Sequence, residues 1–213
     1  MKNIIIFGPQ GCGKGVQSEF IEKKYGLKSF SMGQALRDEI EKKSSIGKKV
    51  ADLLKNGILV PDEVTIEIIK KKSKSKEFSK GIIFDGMPRK EKQWKFLEEN
   101  FDIAAAIEIR LSDKIAIERV TSRLNCPKCD KIYNKVTLKP KFQWKCDICK
   151  IDLIQRNDDK AEEIKKRLKT YHEQTEPLKK FYKQNKIYYE IDGNKPIPEV
   201  TKQLTDILDK VLK

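Results

Sequence analysis

The chain has 213 residues, 38% hydrophobic and 37% charged, and a formal charge of +14. That length gives one or two domains with one sizeable core, and the composition excludes a disordered chain. No apolar run reaches the roughly 18 residues of a membrane span, and the short apolar start MKNIIIF runs straight into a glycine loop, so a cytoplasmic protein without membrane contact is expected.

Residues 3–7 (NIIIF) are a continuous, β-branched apolar run closed by Gly8, the pattern of a buried parallel strand. A helix follows over 14–24, with Val16, Phe20 and Ile21 at helical spacing and Gly26 as its stop. Residues 31–60 read as helical without a strand, with patterns at 33–42 and 46–55. Next come a helix at 62–72, a strand at 81–84, a helix at 90–98 and a strand at 103–109. A helix over 113–123 would set Arg119 and Arg123 four residues apart on one face. Residues 124–157 break the rhythm with cysteines, aromatics and short β-like pieces. The chain then returns to a helix over 161–183, which Pro177 should kink or divide, a strand at 187–191 and a helix at 198–212. Alternating strands and helices predict an α/β fold, a parallel sheet with helices on both faces and right-handed crossovers. The expected organisation is a core of residues 1–30, 61–123 and 158–213 carrying two insertions, 31–60 and 124–157.

Gly8-Pro9-Gln10-Gly11-Cys12-Gly13-Lys14 fits G-x-x-x-x-G-K, and it lies between a strand and a helix, the context this motif requires. Glycines let backbone N–H groups turn toward phosphate oxygens, the helix N-terminus adds its dipole, and Lys14 supplies a point charge for the β- and γ-phosphates. Gly15 stands where most such loops place the hydroxyl that binds Mg²⁺, so Asp85, at the end of its strand, is expected to hold the ion through water. Cys12 reads as a small filler of the loop, with a reactive thiol as the alternative.

Lysine and arginine total 46, and only seven are arginine: Arg37, Arg89, Arg110, Arg119, Arg123, Arg156 and Arg167. The lysines spread over polar helix faces as solvated charge. The scarce arginines invite another explanation, a bidentate grip on phosphate. The single histidine, His172, reads as a surface or packing residue.

Cys126, Cys129, Cys146 and Cys149 form C-x₂-C-x₁₆-C-x₂-C, a tetrahedral Zn²⁺ spacing. Four thiolates close the shell, which makes the site structural, and Tyr133, Phe142 and Trp144 are expected to pack beside it. Iron or a redox disulfide are the alternatives for the two pairs.

The segments GPQGCGKGVQ, SMGQALR, NGILVPDEV, FDGMPRKEKQ, ERVTSR, QRNDD, RLKTYHEQTEPL and YYEIDG, in this order and spacing, resemble the adenylate kinases over nearly the whole chain. The resemblance implies a P-loop core, a monophosphate-binding lobe (31–60) and a zinc-containing lid (124–157). It implies reversible transfer of the γ-phosphoryl group of Mg²⁺-bound ATP to AMP, giving two ADP, by a monomer whose partners are those nucleotides and no nucleic acid. By the same resemblance Gly8, Gly11, Cys12, Gly13, Lys14, Gly15, Val16, Arg119 and Arg123 bind ATP. Met32, Arg37, Leu59, Val60, Gly86, Arg89, Gln93, Arg156 and Arg167 bind AMP, Gln93 reading the base. Lys14, Asp85, Arg89, Arg119, Arg123, Arg156 and Arg167 serve the transfer, and Asp158 and Asp159 are the acidic pair at the lid hinge, for catalytic positioning or as an arginine-holding ion pair.

The chain departs from the family's pattern in four places. Val16 replaces a threonine, Met32 and Gln34 stand in a segment usually reading S-T-G-D, and Met87 replaces a phenylalanine. Val16 removes a hydroxyl that would reach a nucleotide phosphate and bears on the rate, whereas Met32, Gln34 and Met87 bear on the acceptor, so a related kinase for CMP, UMP or several monophosphates is the alternative. A reading of another class is a basic zinc-ribbon protein that binds nucleic acid.

Overall fold

A computed structural model describes residues 1–56, 58–156 and 159–213. The chain begins with β1 (Lys2–Phe7) and α1 (Lys14–Tyr25), then β2 (Lys28–Ser31), α2 (Met32–Glu41), α3 (Ser45–Lys55) and α4 (Asp62–Lys72). It continues through β3 (Ile82–Asp85), α5 (Glu91–Asn100), β4 (Asp102–Arg110) and α6 (Asp113–Thr121). A small hairpin, β5 (Arg123–Asn125) and β6 (Ile132–Asn134), precedes α7 (Ala161–Thr170), α8 (Lys179–Gln184), β7 (Tyr188–Asp192) and α9 (Ile197–Val211).

Five of these strands make one sheet in the order β2-β3-β1-β4-β7, and every pairing in it is parallel. The expected fold class is therefore the observed one. Side chains alternate across a strand, and β1 shows what that does here. Ile5 and Phe7 join a core with Phe30, Leu36, Phe84, Trp94 and Tyr182. Ile4 and Ile6 join a second core on the other face, with Ile21, Ile107, Ile164, Leu204 and Leu208. A strand buried on both faces has to be apolar throughout, which is why it reads as an unbroken run.

Three expectations need correction. Residues 28–31 form a strand that pairs with β3, and Ser31, placed at the head of the helical insertion, ends it. Its sequence KSFS buries only Phe30 deeply, so no apolar run marks it. Second, α6 stops at Thr121 and Arg123 opens β5, so Arg119 and Arg123 do not share a helix face. Third, Phe142 and Trp144 are 52% and 45% exposed, and only Tyr133 enters the lid's buried cluster with Leu124, Cys126 and Cys146. Phe142 lies at a tight turn closed by Lys145 N–H on its carbonyl, and its ring is covered by Lys150 Nζ at 4.2 Å instead of by apolar neighbours.

The long helix expected over 161–183 is divided. After α7 come a π-helical turn over Tyr171–Thr175 and a 3₁₀ turn over Glu176–Leu178 that contains Pro177. Proline lacks the N–H that would continue the α-helical ladder. Among the described residues no helix is long and apolar enough to cross a membrane.

Candidate active site

In the sheet order β1 has β3 on one side and β4 on the other. Chain connections leave such a strand in opposite directions, and a crevice opens beyond its carboxyl end. Residues 8–13 fill that position. Gly8 has φ +144°, and a Cβ there would lie 2.4 Å from the Ile109 carbonyl oxygen of β4. Gly13 has φ +101° and begins α1 without a side-chain cap, which leaves the first N–H groups of the helix to a ligand. Lys14 Nζ donates to the Gly8 and Pro9 carbonyls at 2.9 and 3.0 Å, so the ammonium is held against its own loop. Cys12 is 2% exposed, with Sγ 3.4 Å from Lys14 Nζ, and packs in the core below the loop.

A cavity of about 1090 Å³ opens over this loop. Gly8, Gly11, Cys12, Gly13, Lys14, Gly15 and Val16 line it, and so do Arg37, Arg89, Arg119, Arg123, Arg156 and Arg167. Six of the seven arginines thus meet in one cleft, although they come from distant parts of the chain. Arg110 is the exception and pairs with Glu190 at 2.8 Å. Met32, Leu59, Val60, Asp85, Gly86, Met87 and Gln93 complete the same wall. The π-helical turn contributes Tyr171 and Thr175, and the loop after β7 contributes Gly193, Asn194 and Lys195.

Most of these arginines are steered by specific groups, and of those only Asp159 is expected from the sequence to hold an arginine. Gln34 Oε1 accepts from Arg37 Nε at 3.1 Å and from a second nitrogen of the same guanidinium, while Gln34 Nε2 donates to Asp38 at 2.9 Å. The spacing Gln34–Arg37, three residues on a helix, was a usable signal. Arg89 Nε donates to the Gly86 carbonyl at 2.9 Å, Arg119 to the Gly193 carbonyl at 3.0 Å, and Arg167 to the Leu54 carbonyl at the end of α3 at 3.2 Å. Arg123 is held bidentately by the buried Asp159. The Asp158 expectation lies outside the described residues.

Asp85 ends β3 on the cavity wall. Burial raises its pKa, and the charges of Lys14, Arg89 and Arg37 oppose that rise. Burial lowers the pKa of Arg89 with Asp85 working against it. Gln93 is buried and its amide is already engaged, accepting from Arg89 N–H at 2.8 Å and donating to Asp62 Oδ1 at 2.8 Å. One N–H and one lone pair remain for a base edge, and their direction is fixed by those two bonds. The aspartate that fixes it begins α4, 31 residues away, within the segment NGILVPDEV.

Behind the loop, His172 lies outside the main cleft, between Asp113 at 2.9 Å and Glu176 at 2.6 Å. These two carboxylates raise its pKa, Glu176 having the larger effect.

In the lid, one sulfur from each of Cys126, Cys129, Cys146 and Cys149 lies within 4.8 Å of the others. Cys129 and Cys146 Sγ are 3.7 Å apart, close to the ~3.8 Å edge of a tetrahedron with 2.3 Å metal–sulfur bonds. Burial pushes the Cys146 thiol up, but N–H groups of Cys149 and Ile148 and the Tyr133 hydroxyl outweigh it and bring its pKa to about 6. The Cys129 neighbour and burial push Cys149 up to about 12. Four thiolates this close repel one another unless a cation sits among them.

The adenylate kinase family model matches residues 6–187. The chain is 38% identical to an adenylate kinase of Archaeoglobus fulgidus, over 98% of this chain and 99% of that protein. It is 36% identical to one of Thermosipho melanesiensis, over 97% and 99%, and 37% identical to one of Petrotoga mobilis, over 96% of each.

Proposed function

The chain belongs to the adenylate kinase family, and from that premise we propose how its cleft carries the reversible transfer of the γ-phosphoryl group of Mg·ATP to AMP, giving two ADP. The observation that carries the reading is the convergence of Lys14 and six arginines on one cavity. Phosphoryl transfer passes through a loose, highly charged transition state, and catalysis is mostly positioning and electrostatic clamping. The acceptor is already an anionic phosphate oxygen and needs no general base, which agrees with a cleft that the single histidine does not line.

In this reading the loop 8–13, Lys14, Gly15 and Val16 hold the ATP phosphates, with Arg119 and Arg123 on the lid side. Arg37 and Arg89 grip the AMP phosphate, and Arg156 and Arg167 close on the group in flight. Met32, Leu59, Val60, Gly86 and Gln93 surround the acceptor. Asp85 faces the Mg²⁺ that arrives with ATP, a cation that would favour the ionised carboxylate. The segments 31–60 and 124–157 act as closing lobe and lid, which exclude water so that ATP is not hydrolysed. Asp159 anchors Arg123 at the lid's edge. The four cysteines hold a structural Zn²⁺. The protein acts as a monomer on small nucleotides, without nucleic acid.

A coupled assay with ATP against AMP, CMP and UMP tests this. AMP is expected to give the highest kcat/KM. A pyrimidine preference, for which the methionines at 32 and 87 leave room, would move the reading to a pyrimidine monophosphate kinase on the same fold.

A further inference from the structure

Glu108 is the one charged residue in the apolar run AAAIEI of β4, and it is 2% exposed. A carboxylate so placed is strongly disfavoured unless it is paired and hydrogen-bonded. Here it is fully engaged. Lys179 Nζ lies 2.7 Å from Oε1, the Tyr171 hydroxyl donates to the same oxygen at 3.1 Å, and the Tyr188 hydroxyl donates to Oε2. Lys179 also pairs with Glu176 at 2.8 Å. Burial works against the Lys179 charge, but Glu108 and Glu176 together raise its pKa. Burial and the Glu108 carboxylate also raise the pKa of Tyr171, which stays a donor.

Two neighbours give this cluster a direction. In the parallel register Glu108 stands opposite Phe7, the residue before the phosphate loop. On its other side it holds Tyr171 at the start of the π-helical turn and Lys179, which follows that turn after the 3₁₀ turn Glu176–Leu178. That turn joins two arginines of the cleft. Arg167 lies one helical turn before Tyr171, and the Thr175 hydroxyl donates to the Arg89 carbonyl at 3.3 Å. A π-helical turn is a poor geometry on its own and persists where surrounding contacts hold it, frequently at functional sites.

We propose that Glu108 is a positioning residue for phosphoryl transfer: its carboxylate fixes the 171–175 turn against the phosphate-loop strand and so sets Arg167 and Arg89 relative to that loop. This rests on the adenylate kinase reading above. Glu108 itself does not line the cleft; it borders a small cavity behind the loop with Pro9 and Tyr171. Substrates therefore bind to the same groups without it, and what it governs is the registration of those groups as the phosphoryl moves.

The test uses Glu108→Gln, Tyr171→Phe and the double variant in the full chain, assayed well below each unfolding midpoint. Glu108→Gln is expected to lower kcat about tenfold with KM for ATP and AMP within about twofold of wild type, the pattern of an interaction realised in the transition state. Tyr171→Phe should reproduce part of that loss, and the double variant should be no slower than Glu108→Gln, because the two act as one unit. An unchanged kcat in Glu108→Gln despite a lower Tm, or strictly additive losses, would overturn the inference, as would a raised KM at unchanged kcat. Should Glu108→Gln not fold, Tyr171→Phe decides alone: kcat reduced at constant KM supports the inference, and wild-type kcat overturns it. A wild type without kinase activity would overturn the kinase reading itself and this inference with it.

Discussion

Arg123 and Asp159 form a two-point ion pair across the root of the lid. Nε donates to Oδ2 at 2.8 Å, a second nitrogen donates to Oδ1, and the carboxylate is fully buried. Removing one partner of such a pair leaves a buried charge unmatched and costs about 3–5 kcal/mol. Asp159→Ala is expected to lower stability by roughly that amount, read by denaturant unfolding. Arg123→Met, which leaves the fully buried carboxylate unmatched, should cost more stability than Asp159→Ala, and turnover with it. Equal stability of the two variants would contradict the asymmetry in burial.

Lys14→Ala should leave the fold intact and reduce turnover by about 10²–10³-fold, in the range found for removing one charge-stabilising group at a transition state. The ammonium rests on two carbonyls of its own loop, so its loss removes no packing. Circular dichroism together with the coupled assay checks both halves, and near-normal turnover would sink the assigned role.

Metal analysis of purified protein should return one Zn²⁺ per chain with no freely titrating thiol among Cys126, Cys129, Cys146 and Cys149. Chelation at low pH, where protons compete for the thiolates, should expose lid amides to hydrogen exchange before those of the sheet. Four reactive thiols in native protein would reject the site.

His172 has a raised pKa because Glu176 and Asp113 accept from its ring. A group raised in the folded state contributes stability that is fully present below its unfolded pKa, near 6.5, and is lost as pH rises through the folded value. The Tm difference between wild type and His172→Gln should accordingly be largest below about pH 6 and shrink above the ordinary histidine range. The ring is half-exposed, so the effect is small and weakens with salt. A difference that grows with pH would contradict the pairing.

Gln93→Leu leaves the Arg89 N–H and the Asp62 carboxylate without their partner, at about 1–3 kcal/mol. We expect it to lower stability and also to narrow the ratio of kcat/KM for AMP to that for CMP. Loss of stability with an unchanged ratio would make Gln93 a purely architectural residue.

Much of this molecule was legible because periodicity and motif spacing are local. The strand 3–7, the phosphate loop and the cysteine pairs carry their chemistry within a few residues. The convergence of six arginines was anticipated from motifs and is seen in the cleft. What escaped was either weakly patterned or non-local. KSFS has a single deeply buried apolar side chain and becomes a strand because β3 offers it an edge. Helix α6 ends two residues early because the chain turns at Ser122 into the lid hairpin, which moved Arg123 off the helix while leaving it in the cavity. The Asp62 partner of Gln93 and the tyrosine partners of Glu108 come from residues 31 and 63–80 positions away, and no local pattern announces those pairings.

The two loop glycines with positive φ described above drift under different rules. At Gly8 any side chain meets the Ile109 carbonyl at 2.4 Å, a backbone atom that cannot step aside. At Gly13 nothing lies within 4 Å, and only the left-handed backbone opposes a side chain. In a saturation library selected for growth, position 8 should therefore keep an alphabet of one letter. Position 13 should return a graded set led by asparagine and aspartate, the residues that best tolerate that backbone, wherever the phosphate they approach leaves them room.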